Sequence, residues 1–597
     1  MMTRMMPKFF AALCGGTVFL GSVHVADAQW QTQSFQVKPG WTAIYLHVDP
    51  SYTNLDYLVG GDPNNPISEI WMWVPGSSTI QYVTSPQQPT TGSSQWSSWV
   101  RGGAPGTTLV SMIPNAAYLI HSLAATNYTW TVKGKPATPV YTWTTPGMNL
   151  LGFSTVTSNA PPFDNFLGLV PAFQSLVQIY QYVGGALGSN NPVLVFAPHT
   201  VPVTRGTAFW MRSPGYFNNY FGPFTVVLGS AGVVFGDSTS QNNFHLQNTT
   251  PSTVTVQLTL LPSESPPAGQ APIAGPPPLI VRGVLNSSNL TYSVTNLTTT
   301  STVSWTLAPQ GQSGSDIVIN LGLDRTSFTG PAGLYAGILK FTDSSNLTEF
   351  DVPVSAQPSS YGGLWAGSAL VSQVANYLKI YQRDQSNNLV LGTNGAYIVT
   401  NINTDLGNVS TPFPLRLIVH SDGTNAVLLQ RVFYGSDAYS NTIISTSESG
   451  LNPAQLGSAR RISAVQLPFT ATNRTWSFTG QLAPGGTLTT TVDLPYDDQA
   501  SNPFLHTYHP DHDNLDATFT RELPVGAESY GITRQITLSI YPAGTDFASL
   551  TQFGQSFQGA YAETITMTGL NGAPRTFNTA GSFAITRISP VAVLTRP

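Results

Sequence analysis

Three histidines and several carboxylates are concentrated in one short stretch near the end of the chain. The stretch 501–516 holds His506, His509, His512, Asp511, Asp513 and Asp516, and it follows Asp497 and Asp498. Carboxylate oxygens are the ligands that Ca²⁺ prefers, whereas imidazoles bind transition metals. These residue types predict a divalent-cation site, with Ca²⁺ as the first candidate.

The spacing of the stretch leaves two interpretations open. On an extended strand, successive side chains point to opposite faces, so the histidines converge only if the chain turns. Pro510 favours such a turn because it stops regular structure. In a turn, Asp511, Asp513 and Asp516 would offer an oxygen-rich shell for Ca²⁺, although the usual central glycine of a calcium loop is absent. The alternative is a structural corner, in which the carboxylates accept backbone N–H groups.

Motifs of the common hydrolases are missing from the rest of the chain. The sequence has no G-x-S-x-G elbow and no H-E-x-x-H helix, so it identifies no catalytic residue and favours a non-enzymatic role while leaving enzymatic activity open. Trp71, Trp73, Trp96 and Trp99 form an aromatic group that could stack on sugar rings. Tryptophans at this spacing more often pack in a core, and the sequence allows both interpretations.

The composition indicates a chain of many short strands. Only 9% of its residues are charged, against about 25% in ordinary globular proteins, while Gly, Pro, Ser, Thr and Asn are abundant. A hydrophobic content of 41% with 24 Tyr and 12 Trp supports packed cores. The net charge of −5 argues against a nucleic-acid partner. We therefore predict an all-β fold of several β-sandwich modules in tandem.

The first 28 residues have the features of an export signal. Arg4 and Lys8 precede a mostly apolar run, and Ala26-Asp-Ala28 supplies small residues for cleavage after Ala28. The single cysteine, Cys14, lies inside this run, so the mature chain would have no disulfide. No later apolar run reaches the 18 residues of a helical membrane span. The expected location is secreted, either extracellular or on the cell surface.

Short internal echoes divide the first part of the chain into two related β modules, 29–135 and 136–222. Pro39-Gly-Trp41 and Pro146-Gly-Met148 each introduce an apolar strand, and Ala117–Ile120 has a counterpart in Ala208–Met211. The segment Phe163–Tyr182 has the apolar spacing of a helix. We predict one short helix in the second module.

A third module, 223–357, has strands at the spacing of a β-sandwich. Val254, Val256, Leu258 and Leu260 alternate with polar residues, and further strands are predicted at 302–307, 316–321, 334–341 and 350–355. The segment 263–278 holds six prolines, which predicts a linker or a long edge loop. Gly333-Leu-Tyr-Ala-Gly-Ile-Leu-Lys-Phe-Thr-Asp343 resembles bacterial immunoglobulin-like surface modules.

The remaining residues, 358–597, form a predicted C-terminal β module that carries the His/Asp stretch. Pro414–His420 and Ala426–Phe433 flank a turn at 421–425 and predict a hairpin. Alternating strands lead into the stretch at Leu488–Leu494 and away from it at Tyr530–Ile540. The stretch is thus expected in a long connection at one end of a β structure, where loops often carry function.

Three segments of this module carry a resemblance. They are Asn502–Asp516, Ser458–Ser463 and Glu528–Arg534, and together they resemble the C-terminal module of an uncharacterised family of large secreted β-rich proteins of environmental bacteria. The resemblance implies a secreted β-rich architecture and no particular activity.

The sequence as a whole favours an exported structural or adhesive protein of the bacterial surface or extracellular matrix, partnered by itself, by other surface proteins or by polysaccharide. The alternative is a carbohydrate-binding protein or a carbohydrate-active enzyme that uses the aromatic N-terminal modules.

Overall fold

A computed structural model describes residues 29–74, 83–103, 107–140, 147–169, 178–212, 220, 222–328, 333–358, 361–376, 378–403, 405–436, 441–464, 475–495, 530–551, 554–568 and 574–595. Strands account for 53% of the structure and helices for 5%, which confirms the all-β class. Among the described residues, no helix has the length and apolar character needed to cross a membrane.

Two antiparallel sheets form the N-terminal region. One has the order β1-β7-β3 and the other β2-β6-β4-β5. Their elements are β1 (Gln31–Val37), β2 (Gly40–Leu46), β3 (Val48–Asp49), α1 (Leu55–Leu58), β4 (Ile67–Trp73), β5 (Trp96–Val100), β6 (Ala116–Ser122) and β7 (Tyr128–Pro136). Between these sheets lies a core that includes Phe35, Leu46, Trp99, Tyr118 and Trp130.

The next region repeats one pairing of the first. Its four-stranded sheet has the order β10-β9-β11-β8, with elements β8 (Asn149–Leu151), α2 (Phe163–Leu167), β9 (Gln178–Gln181), β10 (Val193–Leu194) and β11 (Phe209–Arg212). Strand β8 pairs with β11 as β2 pairs with β6, so the sequence echoes fall on equivalent strand pairs. The predicted short helix is present as α2, which ends at Leu167, whereas Gln178–Gln181, in the same helix-like stretch of sequence, pairs with β11 as a strand.

These two regions share a single apolar cluster. Trp73 packs edge-on against Trp96 and Trp210, with ring centroids 5.0 and 4.9 Å apart. Leu119 and Leu150 belong to the same cluster. The division at residue 135 stays a prediction, but the segments on either side of it bury aromatic side chains against each other.

Residues 222–328 and 333–358 form a two-layer sandwich. The sheets have the orders β12-β14-β20-β17-β18 and β13-β22-β21-β15-β19, with β16 added to β21. Their strands are β12 (Phe224–Val227), β13 (Val233–Val234), β14 (Gln241–Asn248), β15 (Val254–Pro262), β16 (Ile273–Gly275), β17 (Leu279–Asn286), β18 (Thr291–Leu297), β19 (Thr302–Leu307), β20 (Asp316–Leu323), β21 (Leu334–Asp343) and β22 (Glu349–Ala356). The predicted strands are confirmed, including the burial of Val256, Leu258 and Leu260 on one face of β15.

The proline-rich segment 263–278 is an edge loop packed against the N-terminal region. Its backbone N–H at Glu264 donates to the Trp30 carbonyl at 2.9 Å, and the N–H of Trp30 donates to Ser263 Oγ at 2.7 Å. Of the two predicted alternatives, the structure therefore supports the loop. The loop also contributes β16 to the sandwich.

One large sheet encloses the core of the C-terminal module. Its order is β31-β27-β26-β23-β36-β35-β34-β33-β32. The strands are β23 (Gly363–Asn376), β24 (Leu378–Tyr381), β25 (Val399–Asn403), β26 (Gly407–Ser421), β27 (Ala426–Leu429), β28 (Arg431–Ser436), β29 (Thr442–Ser445), β30 (Arg460–Ser463), β31 (Thr475–Ser477), β32 (Thr479–Gly480), β33 (Thr487–Leu494), β34 (Gly531–Ile540), β35 (Ser556–Thr568) and β36 (Arg575–Ser589). Two short helices, α3 (Pro453–Leu456) and α4 (Phe547–Thr551), accompany them.

The large sheet closes on itself through residues 475–480. Strand β31 pairs with β27, while β32, two residues later, pairs with β33 at the other end of the sheet order. The closed sheet surrounds Trp365, Leu417, Leu538 and Phe557 among other buried side chains. The predicted hairpin is confirmed for β26 and β27, but after Leu429 the chain continues as β28 in a separate sheet, β29-β28-β30.

Candidate functional site

The six predicted cation ligands lie outside the described residues. This applies to His506, His509, His512, Asp511, Asp513 and Asp516, so the calcium site stays a prediction. In the described part of the chain, no group of three or more His, Cys, Asp or Glu side chains is placed to hold a metal ion.

The connection that carries the His/Asp stretch begins after β33 and ends before β34, and both strands belong to the closed sheet. Leu494, at the end of β33, pairs with Ile532 at the start of β34. The connection therefore leaves one strand and returns to its direct neighbour at the same end of the sheet, as the sequence predicted.

The four tryptophans considered for sugar binding are core residues. Trp71, Trp73, Trp96 and Trp99 expose between 3 and 6% of their surface. Trp71 donates its indole N–H to Glu69 at 2.8 Å, and Trp99 donates to Asp56 at 2.8 Å. Their faces are packed against protein, which leaves no ring available for stacking on a sugar.

Ser68, Glu69 and His121 come together but do not form a catalytic triad. The Ser68 hydroxyl lies 2.8 Å from His121 Nδ1, and Glu69 Oε1 lies 3.9 Å from the same nitrogen. In a nucleophilic triad, the hydroxyl and the carboxylate bind opposite nitrogens of the imidazole. Because both groups approach Nδ1, the arrangement cannot pass a proton from the hydroxyl to an oriented base.

A buried ionic cluster at the junction of three β regions is the most developed polar site. Arg205 lies in the loop before β11 and reaches the sandwich, where its Nη2 donates to Asp351 Oδ2 at 2.9 Å. Its Nη1 donates to the Glu349 carbonyl at 2.8 Å. From β1, Gln31 Nε2 donates to the same Asp351 oxygen at 3.1 Å. One carboxylate on β22 thus binds two segments that are distant in sequence.

Burial dominates the electrostatics of this cluster. The Asp351 side chain is 2% exposed, and burial raises the pKa of its carboxyl group, although the neighbouring Arg205 charge opposes the rise. On the same strand, Glu349 pairs with Lys340 at 2.7 Å. Buried charges of this kind persist only when they are paired and hydrogen bonded.

His47 lies beside the ionic cluster at a small polar cavity. The cavity has a volume of about 170 Å³ and is lined by His47, Gln31, Gln33, Thr157 and Arg205, among others. Burial lowers the pKa of His47 well below 6.5, and the positive charge of Arg205 lowers it further, against a weaker opposing contribution from the Phe153 backbone. The imidazole is therefore neutral at pH 7. The cavity has space for several water molecules, and the Arg205 guanidinium in its lining is already paired with Asp351.

The edge loop adds an outer clamp to the same junction. Glu264 accepts hydrogen bonds from the N–H of Thr32 at 2.9 Å and from the Thr32 hydroxyl. Lys133, on β7, lies 3.2 Å from the same carboxylate. Burial alone would raise the pKa of Glu264, but these hydrogen bonds and the charge of Lys133 lower it below its usual range.

A second buried cluster lies inside the closed sheet. Arg534 on β34 donates to Glu563 Oε1, and the Tyr561 hydroxyl donates to Glu563 Oε2 at 2.6 Å. Burial raises the pKa of the Tyr561 hydroxyl, so it remains a proton donor at neutral pH. Burial alone would lower the pKa of Arg534, but Glu563 raises it above the ordinary value.

Close packing also joins the sandwich to the C-terminal module. Helix α4 lies against the outer face of β20, where a side chain at Gly322 would come within 2.6 Å of Thr551 and 2.8 Å of Phe547. Gln241 donates to Thr551 Oγ1 at 2.6 Å, and Gln555 donates to the Ser238 carbonyl at 2.9 Å. Only glycine allows the helix this approach.

The sequence provided little local signal for these clusters. Arg205 and Asp351 are 146 positions apart, and each is surrounded by residues typical of a loop or a strand. An aspartate two residues after a glutamate in the otherwise apolar run of β22 is the one unusual feature, because the whole strand is buried.

No family model matches the chain, and no curated protein is significantly similar to it.

Proposed function

We propose that the chain is an exported structural or adhesive protein of the bacterial cell surface or extracellular matrix. The observation that carries this proposal is the way the β regions are joined. Arg205 and Gln31 bind a buried carboxylate of the sandwich, and α4 packs directly onto β20. Modules joined only by flexible linkers move freely, whereas close-packed junctions restrict relative motion, which suits a structural protein.

Export is part of the proposal and depends on the signal-like residues 1–28. Cleavage after Ala28 would leave Gln29 as the first residue. Gln29 is 2% exposed and Trp30 is fully buried, so both residues belong to the folded part of the chain. Mass spectrometry of the exported chain tests this, and a mature chain starting well beyond Trp30 would contradict it.

The proposed immunoglobulin-like identity of the sandwich is supported by its strand order. Strands β12-β14-β20-β17 lie in one sheet and β22-β21-β15 in the other, with β13 parallel to the last strand, β22. This resembles the ABED and GFC sheets of immunoglobulin domains. Such domains serve many functions, so the likeness supports a surface module and nothing more specific.

Calcium binding at Asp511, Asp513 and Asp516 is proposed as a stabilising element of the C-terminal module. The connection begins and ends on neighbouring strands, so a bound ion would tie its segments together at one end of the sheet. Thermal unfolding after EDTA treatment, and again with Ca²⁺ restored, tests this. The ion should raise the midpoint in the native chain but not in Asp511→Ala/Asp513→Ala. Asp422→Ala, in an exposed turn, serves as the control.

Cell fractionation combined with light scattering tests the overall function. We expect the chain in the surface or extracellular fraction, and we expect the purified mature chain to self-associate or to bind cell-surface material. Retention in the cytoplasm would contradict the proposal. A monomer that binds no surface component would also contradict it.

The carbohydrate alternative has lost its original support. It depended on Trp71, Trp73, Trp96 and Trp99, and all four are buried. A glycan-binding screen still separates the two functions, because saturable binding of a defined sugar would favour the alternative.

A further inference from the structure

The C-terminal module carries a hairpin extension, which we name the arm and define as residues 378–403. Strands β24 and β25 pair with each other and with no other strand among the described residues. Two tight turns complete the arm. Asp384 accepts the backbone N–H groups of Ser386 and Asn388, and Gly392 donates to the Ala396 carbonyl at 2.7 Å. The arm is therefore an ordered structure that extends from the large sheet.

The arm is unusually rich in exposed apolar side chains. Leu391 is 59% exposed and Tyr397 is 50% exposed, although these two residues form a backbone bridge. The other members of the set are Ile380, Tyr381, Leu389, Ile398 and Val399, each at least 36% exposed. An isolated two-stranded hairpin is only marginally stable in water, and a concentration of exposed apolar groups marks an interaction surface. The arm thus has the exposed apolar surface expected of a segment that binds another protein surface.

A groove with apolar and neutral polar lining lies where the sandwich meets residues 138–140. The groove has a volume of about 780 Å³ and is lined by residues 138–140, 225–231, Gln247, Thr249 and Phe350. Val140 is 77% exposed and Val227 is 44% exposed at its rim. Among its described residues the lining has no charged side chain, and its polar members are Thr138, Thr225, Ser230, Gln247 and Thr249. An apolar insert would therefore displace water from the groove without burying an unpaired charge.

One wall of the groove is an open sheet edge. Strand β12 is the last strand of its sheet, and among the described residues it pairs only with β14. Its backbone groups can accept an added strand, which is a common way for a sheet to bind an extended segment. Strands β12 and β24 are each four residues long. The groove therefore combines apolar contacts with backbone pairing capacity.

We propose that the arm of one copy of this chain inserts into the groove of another. This rests on the self-association included in the proposed function, and it identifies the surfaces. The arm and the groove lie on different modules, so the contact is heterologous. A heterologous contact that does not close into a ring builds an extended filament.

Charge favours a second copy over a partner of strong charge. The arm carries three ionic residues, Lys379, Arg383 and Asp384, and the last two are engaged in local hydrogen bonds. The described residues of the groove lining are uncharged, and only 9% of the residues of the whole chain are charged. With weak colloidal repulsion, two copies can approach without an electrostatic barrier.

Single charged substitutions on each surface test the proposal by light scattering of the full exported chain. Leu391→Asp in the arm and Val140→Asp in the groove should each weaken association by about tenfold or more, because each places a carboxylate in the apolar contact. Val593→Asp and Val284→Asp are the controls, since these valines are 74% and 81% exposed and lie outside the arm and the groove. The controls should associate as the native chain does.

Mixing the two variants provides the sharper test. The Leu391→Asp chain keeps its groove and the Val140→Asp chain keeps its arm, so an equimolar mixture should form a 1:1 dimer that grows no further. Association that persists in both single variants would overturn the inference, as would a mixture that stays monomeric. Either result leaves the proposed function standing if the chain is found at the cell surface. Cytoplasmic retention would reject the proposed function itself.

Discussion

Arg205 and Arg534 each donate to a buried carboxylate, but the first pair connects different β regions and the second lies within one closed sheet. Asp351, the partner of Arg205, accepts from loop and strand segments far away in sequence. Glu563, the partner of Arg534, accepts from side chains of β34 and of its own strand β35. A buried arginine–carboxylate pair therefore joins separate β regions in one case and stabilises a single sheet in the other.

The difference between the clusters lies in what depends on each. Strands β34 and β35 are already held by an extended backbone ladder, so Arg534 and Glu563 add to a sheet that closes around them. The junction at Asp351 has fewer backbone hydrogen bonds to support it. We therefore expect loss of Glu563 to destabilise one module, and loss of Asp351 to uncouple neighbouring modules.

Glu563→Ala should give the largest effect. It leaves Arg534 buried without its carboxylate, which we expect to lower the free energy of unfolding of the C-terminal module by about 3–5 kcal/mol. Hydrogen exchange over β34–β36 measures this directly.

Thr564→Ala, at the neighbouring position, is the control. An Arg534→Met/Tyr561→Phe/Glu563→Leu variant should recover most of the loss, because an apolar replacement removes the unpaired charge. A loss below about 1 kcal/mol in Glu563→Ala would show that the cluster is not energetically important.

Asp351→Ala should cost about 2–3 kcal/mol, less than Glu563→Ala, because Arg205 keeps the Glu349 carbonyl as an acceptor. Calorimetry should show the sandwich and the N-terminal region unfolding in separate transitions. A double-mutant cycle with Arg205→Met isolates the pair. A single cooperative transition in the variant would contradict the assignment of Asp351 as the link between modules.

The pH dependence of stability should distinguish the junction from the closed sheet. The pKa of His47 is well below 6.5 in the folded chain and returns to about 6.5 on unfolding. The unfolded chain then binds the proton more tightly, so the free energy of unfolding falls as pH drops below about 6.5, by up to about 1.4 kcal/mol per pH unit.

His47→Gln should flatten this profile between pH 6.5 and 5, whereas the exposed His199→Gln should leave it unchanged. Denaturant titrations at several pH values provide the measurement. An unaltered slope in His47→Gln would mean that the junction does not sense pH through this residue.

Glu264→Gln should give the smallest effect, below about 1 kcal/mol, because its pair with Lys133 is partly exposed and screened by salt. The loss should shrink further at high ionic strength. Glu448→Gln, at an exposed position, is the control. A loss as large as that of Asp351→Ala would mean that the outer clamp, and not the buried carboxylate, holds the junction.

Local patterns in the sequence predicted much of the fold. Strand β19 was predicted with the bounds that the structure has, because alternation of apolar and polar residues reflects a single half-buried strand. The region 163–182 was predicted less well. Its apolar spacing is helical, yet Gln178–Gln181 forms a strand because β11 offers it a backbone partner. Tertiary pairing overrode the local preference there.

The amino-acid sequence by itself determined the all-β class, most strand positions and the turn at Asp422, because these depend on neighbouring residues. Tertiary structure alone decided that Trp71 and Trp99 are buried, that 475–480 closes the large sheet, and that Arg205 reaches Asp351. Each of these depends on which distant surfaces meet. Hydrophobic burial is non-directional, so an apolar residue does not specify which distant residue it packs against. Only the packed chain therefore decides which surfaces meet.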